Sequence, residues 1–503
     1  MHLTRSHRPL ALALLAGSAL VSPVQARTAP RTAPKEALEA RMARLEAEVT
    51  ELRSQLAEAR GAQAQAMATA EAAQSSAITA RTAAANAEAK AATAGTQLAA
   101  LEKKPAPDGI RNGATTLKIG GYLKLIAAST HYSNGSVADN TLGRDFYLPQ
   151  TIPTTPGGRG FTTEDFTAKQ TRLWLNLDTQ VAGHIVKGYL ETDFQTTASA
   201  APNVTAGGSQ RTTNGYTLAL RRAFVTVDRF TIGQDWTTFQ YVAALPESTD
   251  YVGGTEGTVF VRQPLVRYSH TLSKALALHL AVENPESALV TAGATAMLES
   301  GTDHIPDFAA RLAYTGRIGE LSLAGLLRQV RAESTGSALV NNVTTAGAVG
   351  NGVTATGFGG SIAGKLLLNE ARTGDVRFMA TYGQNIGRYV GLNFAPDAVY
   401  DPAGDRLTDV RTFAGMVAVR VPLTTQVRIN LMGSYQRVHY DQTLAPAAIA
   451  GLNRQAWSAA ANLFYSPVRQ IDLGIEYRHG ERELVSGAKG NLDRVEFAAK
   501  YSF

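Results

Sequence analysis

The spacing of apolar residues divides this chain into two unlike parts. From residue 35 to residue 102 they recur in alternating steps of four and three: Leu38, Met42, Leu45, Val49, Leu52 and Leu56. A mean step of 3.5 residues marks the seam of a left-handed coiled coil. The register continues through Ala59, Gln63, Ala66 and Ala70, then Ala73, Ala77, Ala80, Ala84, Ala87, Ala91 and Ala94, to Leu98 and Leu101. Alanine buries little area, so the second half is expected to be a close-packed but weak rod. At 1.5 Å per residue an unbroken helix of this length reaches roughly 100 Å. Leu at d with Met, Val or Leu at a does not fix the strand number and leans toward two. Residues 103–115 form a linker whose Lys103-Lys104-Pro105-Ala106-Pro107 run stops the helix, because proline lacks an amide hydrogen and clashes with the preceding turn.

From residue 116 to residue 503 the period becomes two. In Ile471-Asp472-Leu473-Gly474-Ile475-Glu476-Tyr477-Arg478 every odd residue is apolar and every even one polar or glycine. Val427 to Leu431 alternates in the same way, as does Arg172 to Asp178 apart from Trp174. Alternation alone would suit a soluble sheet with one wet face. Three features point to a membrane instead. The alternating segments are mostly long enough for tilted spans. Tight turns, as at Ala182-Gly183, Asp228-Arg229 and Thr315-Gly316, alternate with long links near 131–167, 197–216, 237–259 and 284–306. The chain also ends in an aromatic, Phe503, on the apolar face of its last segment. These predict an all-β transmembrane barrel of about sixteen antiparallel strands, wide enough for a water-filled channel. Weak segments near 230–236 and 260–270 leave fourteen or eighteen strands open, and Pro264 in the second predicts a local bulge.

Composition sharpens this division. All 36 aromatics (16 Phe, 17 Tyr, 3 Trp) lie at or after Tyr122. The absence of cysteine excludes a disulfide framework and a thiolate metal site. No apolar run of about 20 residues follows the N-terminus, which excludes a helical membrane protein. Residues 1–26 have the parts of a secretory signal: Arg5, His7 and Arg8, an apolar stretch from Leu10 to Val21, and Val24-Gln25-Ala26 before the cleavage point. A short segment, 27–34, is expected to be flexible. The mature chain is therefore expected in the outer membrane of a Gram-negative cell, contacting its lipid, with the coiled coil in the periplasm.

Taking the polar parity of each strand as luminal, fifteen basic residues and eight acidic ones point inward, whereas residues 116–503 carry 34 basic and 32 acidic side chains. The basic set includes Lys124, Arg172, Arg222, Arg267, Arg311 and Arg328, which become the candidate solute-binding and pore-lining residues; the acids include Asp178, Glu191, Asp193 and Asp228. A positive lumen between low-dielectric walls favours anions. The third external link, 237–259, carries Glu247, Asp250 and Glu256 with Gly253-Gly254 for bending. Folded inward, it would be a constriction loop setting its carboxylates against Arg172, Arg222, Arg267 and Arg311. A dicarboxylate could then be gripped by guanidinium forks.

Four segments carry a family resemblance. Lys118-Ile119-Gly120-Gly121-Tyr122-Leu123-Lys124 opens the barrel, and Arg221-Arg222-Ala223-Phe224, the nearby Ile232-Gly233-Gln234-Asp235-Trp236-Thr237-Thr238-Phe239, and Arg262-Gln263-Pro264-Leu265-Val266-Arg267-Tyr268 are similar to that family's central strands. Together with the signal, the coiled coil and the barrel, the chain resembles the DcaP-like porins. That resemblance implies homotrimeric outer-membrane channels for small anions, including dicarboxylic acids.

No other chemistry competes strongly. No Gly-x-Ser-x-Gly, Walker loop, zinc-spaced histidine pair or dinucleotide fingerprint occurs, so neither an enzyme nor a cofactor or metal site is expected. The basic residues form no nucleic-acid patch. The expected function is passive diffusion of small anionic solutes; the alternative is a structural or adhesive assembly with the barrel as anchor and the rod as interaction module. The rod also offers a surface for a periplasmic partner. On the channel reading, deleting residues 35–102 leaves the conductance of each pore nearly intact in planar bilayers, and loss of all current would refute a tether-only role.

Overall fold

The computed structural model describes residues 35–102, 109–139, 141–196, 214–300, 302–333, 338–340, 343–345, 351–371 and 373–503. The signal at 1–26, the segment 27–34 and the lysine–proline run at 103–108 lie outside the described residues. The chain divides into two units, Met1–Ala106 and Pro107–Phe503.

The described part of the first unit is one helix, α1 (Lys35–Glu102, 68 residues). Its seam residues Met42, Leu45, Val49, Leu52 and Leu56 are all exposed in the single chain. Polar residues inside it are satisfied locally: the hydroxyls of Thr50, Thr69, Thr79 and Thr82 each donate to the carbonyl four residues earlier. Among the described residues no helix is long and apolar enough to cross a membrane.

The second unit is a closed barrel of sixteen antiparallel strands. They are β1 (Thr115–Tyr132), β2 (Phe161–Thr167 continued by Arg172–Val181), β3 (His184–Asp193), β4 (Ala219–Val227), β5 (Phe230–Trp236) and β6 (Arg262–Thr271). There follow β7 (Leu276–Glu283), β8 (Asp307–Gly316), β9 (Gly319–Glu333), β10 (Asn351–Leu367) and β11 (Asp375–Gln384). The circuit ends with β12 (Arg406–Pro422), β13 (Val427–Tyr440), β14 (Asn453–Val468), β15 (Ile471–Leu484) and β16 (Lys489–Ser502). The last strand returns to the first, from Tyr122↔Ser502 to Tyr132↔Leu492, and the sheet has no open edge there. Side chains alternate across the wall. Leu123, Leu125, Ile475, Val495 and Phe497 are exposed on the outside, while Ile126, Ala128, Glu476, Arg494 and Glu496 are buried within.

Two local expectations are corrected. Pro264 sits in an unbroken ladder from Phe230↔Tyr268 to Trp236↔Arg262, with no bulge. Its carbonyl accepts from Asn284, so its ring nitrogen faces β7, which has already ended at Glu283 and asks for no donor. Asp228 is a turn residue, not a wall residue. At φ 51 it links β4 to β5 and meets His184 Nδ1 at 2.7 Å on the surface. The ladder shifts instead at Glu191/Thr192, where β4 places both Arg221 and Arg222 against acids of β3. Strand β2 is itself interrupted. Its break after Thr167 carries Lys169 and Gln170, both buried, and Thr171, whose hydroxyl accepts from the Lys124 amide.

Short turns join the strands at one rim and long loops at the other. Loops L1 (133–160), L3 (237–261) and L6 (385–405) turn into the barrel. L3 packs Phe239, Ala244 and Val259 with Met379, Ile386, Tyr389, Ala414 and Met416. Gly257 makes this seating possible, since a Cβ there would lie 2.4 Å from the Gly415 carbonyl oxygen on β12. Gly257→Val should therefore destabilise the barrel by about 1–3 kcal/mol. A lowered unfolding midpoint of the detergent-solubilised protein is the expected reading, and an unchanged midpoint would mean that L3 does not rest on β12.

Candidate functional site

L3 leaves the wall at β5 and returns at β6, crossing to the far arc between. The near wall holds most of the basic residues singled out from sequence. Arg172 meets Asp193 at 2.8 Å, Glu191 at 3.0 Å and the hydroxyl of Tyr251 in L3 at 3.0 Å. Arg222 and Arg267 share Asp235, at 2.6 and 3.0 Å, and Arg267 also donates to the Thr238 hydroxyl and the Trp236 carbonyl. Arg311 donates to the Gln240 carbonyl and has no acid within 4.0 Å among the described residues. Arg328 is fully buried between Asp397 at 2.8 Å and Asp307 at 3.4 Å, both also buried. On β1, Lys124 donates to Gln170 at 2.7 Å and to the Thr249 carbonyl of L3 at 2.6 Å.

The carboxylates of L3 do not face that near wall. Glu247 reaches β13, where Arg428 grips it with contacts of 2.7 and 2.9 Å, with Arg420 at 3.6 Å and Asn430 at 3.2 Å. Asp250 accepts from Val252 and Gly253 in its own turn and from the Tyr147 amide of L1 at 2.9 Å. Glu256 is completely buried beside the Tyr147 hydroxyl at 3.4 Å. The expected opposition of these acids to Arg172, Arg222, Arg267 and Arg311 is thus corrected. L3 touches the near wall through Thr238, Tyr251 and backbone carbonyls, while Glu247 reaches the opposite arc and Asp250 turns to L1.

Burial acts to raise the Glu247 carboxyl, but its bonds to Arg428 and the nearby Arg420 charge hold it below the usual carboxylate range. Burial pushes Glu256 up, against hydrogen bonds from Ser458 and Ser434 and the Arg478 charge. Asp145 in L1 is likewise raised by burial although Lys169 sits 2.8 Å away.

Several functional contacts were not found from sequence. Asp235 lies in the weak strand β5, where alternation is hard to see, yet it anchors two arginines. Asp397 belongs to L6, and Lys169 to the break in β2; nothing in their local sequence indicates an inward position. Among the described residues no group of three His, Asp or Glu side chains is placed to hold a metal ion.

A closed barrel with an inward loop and a charged inner wall is an outer-membrane channel of the porin type. The chain belongs to the DcaP outer membrane protein family, whose model matches residues 167–503. It is similar to the outer membrane channel DcaP of Acinetobacter baumannii, with 24% identity over 79% of this chain and 100% of that chain, at a TM-score of 0.61. It is also similar to outer-membrane OmpT of Vibrio cholerae, with 12% identity over 78% of this chain and 99% of that chain, at a TM-score of 0.47. No curated protein matches the chain. Family and fold are those of a channel, not an enzyme.

Because the folded-state pKa of Glu247 is depressed, its contribution is present above the unfolded value near 4.3 and is lost as pH falls through the folded one. Glu247→Gln should release L3 at neutral pH and cost roughly 1–3 kcal/mol, less than a fully buried pair because both partners are partly exposed. The check is proteolysis of L3 with the barrel in detergent. Wild type should resist at neutral pH and become cleavable only in acid below the usual carboxylate range, whereas the variant should be cut at both; equal resistance would discard the anchor.

Proposed function

We propose that the protein conducts small anionic solutes, dicarboxylates among them, by passive diffusion through a homotrimer of barrels. In this reading α1 is a periplasmic coiled-coil tether, since its exposed Leu, Met and Val seam needs partner helices to cover it. The pore-lining set is Lys124, Arg172, Arg222, Arg267 and Arg311, with L3 and its Glu247 as the constriction; Arg328, Asp250 and Glu256, expected to line the pore as well, are buried and support the wall and the loop from behind.

One observation carries the anion preference. In most luminal ion pairs the cation stands nearer water than its acid. Arg222 is 22% exposed against 6% for Asp235, Lys365 28% against 2% for Asp375, and Arg172 16% against 0% for Asp193. Arg428 with Glu247, at 13% against 23%, is reversed, which fits its use as a loop anchor. A neutral pair oriented with its positive end inward still presents a positive surface to the lumen. Planar guanidiniums at that surface match a carboxylate in two-pronged fashion, and successive arginines give a passing anion several weak stations instead of one deep well.

Reversal potential across a potassium chloride gradient tests this. The wild-type channel should favour chloride, and Arg222→Gln combined with Lys365→Gln should move the potential toward zero. A cation-selective wild type, or a potential indifferent to both substitutions, would refute the reading.

A further inference from the structure

Arg262, which begins β6 at the loop side of the barrel, differs from the paired arginines of the wall. Its guanidinium lies 3.6 Å from the centre of the Trp236 ring and 5.2 Å from that of Phe260. No acid pairs with it among the described residues, and its Nε is buried with no acceptor. The flat cation is positioned by stacking, which leaves its charge uncompensated.

A cavity of about 320 Å³ opens against it, between L1, L3 and L6. Two more guanidiniums reach this cavity, but each is already engaged: Arg221 with Asp193 at 2.7 Å, and Arg388 with Gln263 at 2.6 Å and Asp307 at 3.5 Å. Phe146, Phe260 and Leu392 supply apolar wall. Leu392 holds φ 54 between Gly391 at φ 64 and Asn393 at φ 67, a backbone region leucine disfavours. Gln150 pins its carbonyl at 2.8 Å. Strain of this kind persists where surrounding contacts over-determine it, as they do around ligand clamps.

We propose that this cavity binds a small monocarboxylate with an apolar body, its carboxylate on Arg262 and its hydrocarbon against Phe146, Phe260 and Leu392. One uncompensated cation matches one carboxylate. A second carboxylate at the far end of such a ligand, against Phe146, Phe260 and Leu392, would lose its hydration without recompense. The site therefore has a different preference from the ion-paired lumen. It rests on the channel reading only for its place on a solute's route.

Calorimetric titration of the detergent-solubilised full chain with hexanoate, hexanol and succinate tests the site without requiring conduction. Hexanoate should bind, hexanol should give no measurable binding, and succinate should bind at least tenfold more weakly. Arg262→Gln should raise the hexanoate Kd at least tenfold. Arg262→Lys, which keeps the charge but loses the flat stack, should fall between and covers the case in which the glutamine variant does not fold. Absent hexanoate binding, equal affinity for succinate, or affinity indifferent to both substitutions would overturn the proposal. In bilayers, hexanoate added from the loop side should reduce chloride current through the wild-type channel. A protein that binds hexanoate yet carries no current would remove the channel reading and leave this site standing.

Discussion

Hydrocarbon offers no hydrogen-bond partner to a peptide group, and the architecture of this protein follows from that constraint. Each strand must satisfy both edges with neighbours, so the pairing of β1 with β16 is as necessary as any contact inside the sheet. Closure also reverses the usual placement of residue types. Leu123, Ile475 and Phe497 are outside because the solvent there is lipid, and Arg478, Arg494 and Glu496 are inside because the enclosed space is where polar groups can be paired or wetted.

Pairing then shapes the interior. A charged side chain taken from water needs a partner, and the wall supplies one to most of its arginines through strand acids such as Asp193, Asp235 and Asp375. Loops complete the set: Asp397 from L6 helps hold Arg328, and Glu247 from L3 is held by Arg428. The same contacts that neutralise the wall thereby fix the loops that narrow it. Stability and channel geometry are not separable here, because an ion pair that seats L3 also sets what space remains beside it.

Much of the fold was legible from one-dimensional pattern. Period two located the strands, turn residues separated tight from long connections, and parity put Lys124, Arg172 and Arg267 on the inner face. Legibility failed where a local rule met a tertiary exception. Pro264 suggests a bulge by itself, but the end of β7 removes the demand for its missing donor. Asp228 has luminal parity by counting, yet the chain has already turned. Arg262 has the opposite parity to Arg267 and was left out of the inward set by counting; only Trp236 beneath it and the cavity beside it make it a candidate site.

The sequence by itself determined that the chain has a helical part and a barrel part, how many strands the barrel has to within a pair, and, along the regular strands, which face of each points inward. Those properties depend on residues a few positions apart, whose geometry is set by backbone period. Which acid neutralises which arginine, and where L3 rests, was decided only by the closed structure. Glu247 and Arg428 are 181 residues apart, and closure of the sheet, not anything in either local segment, brings them within 2.7 Å.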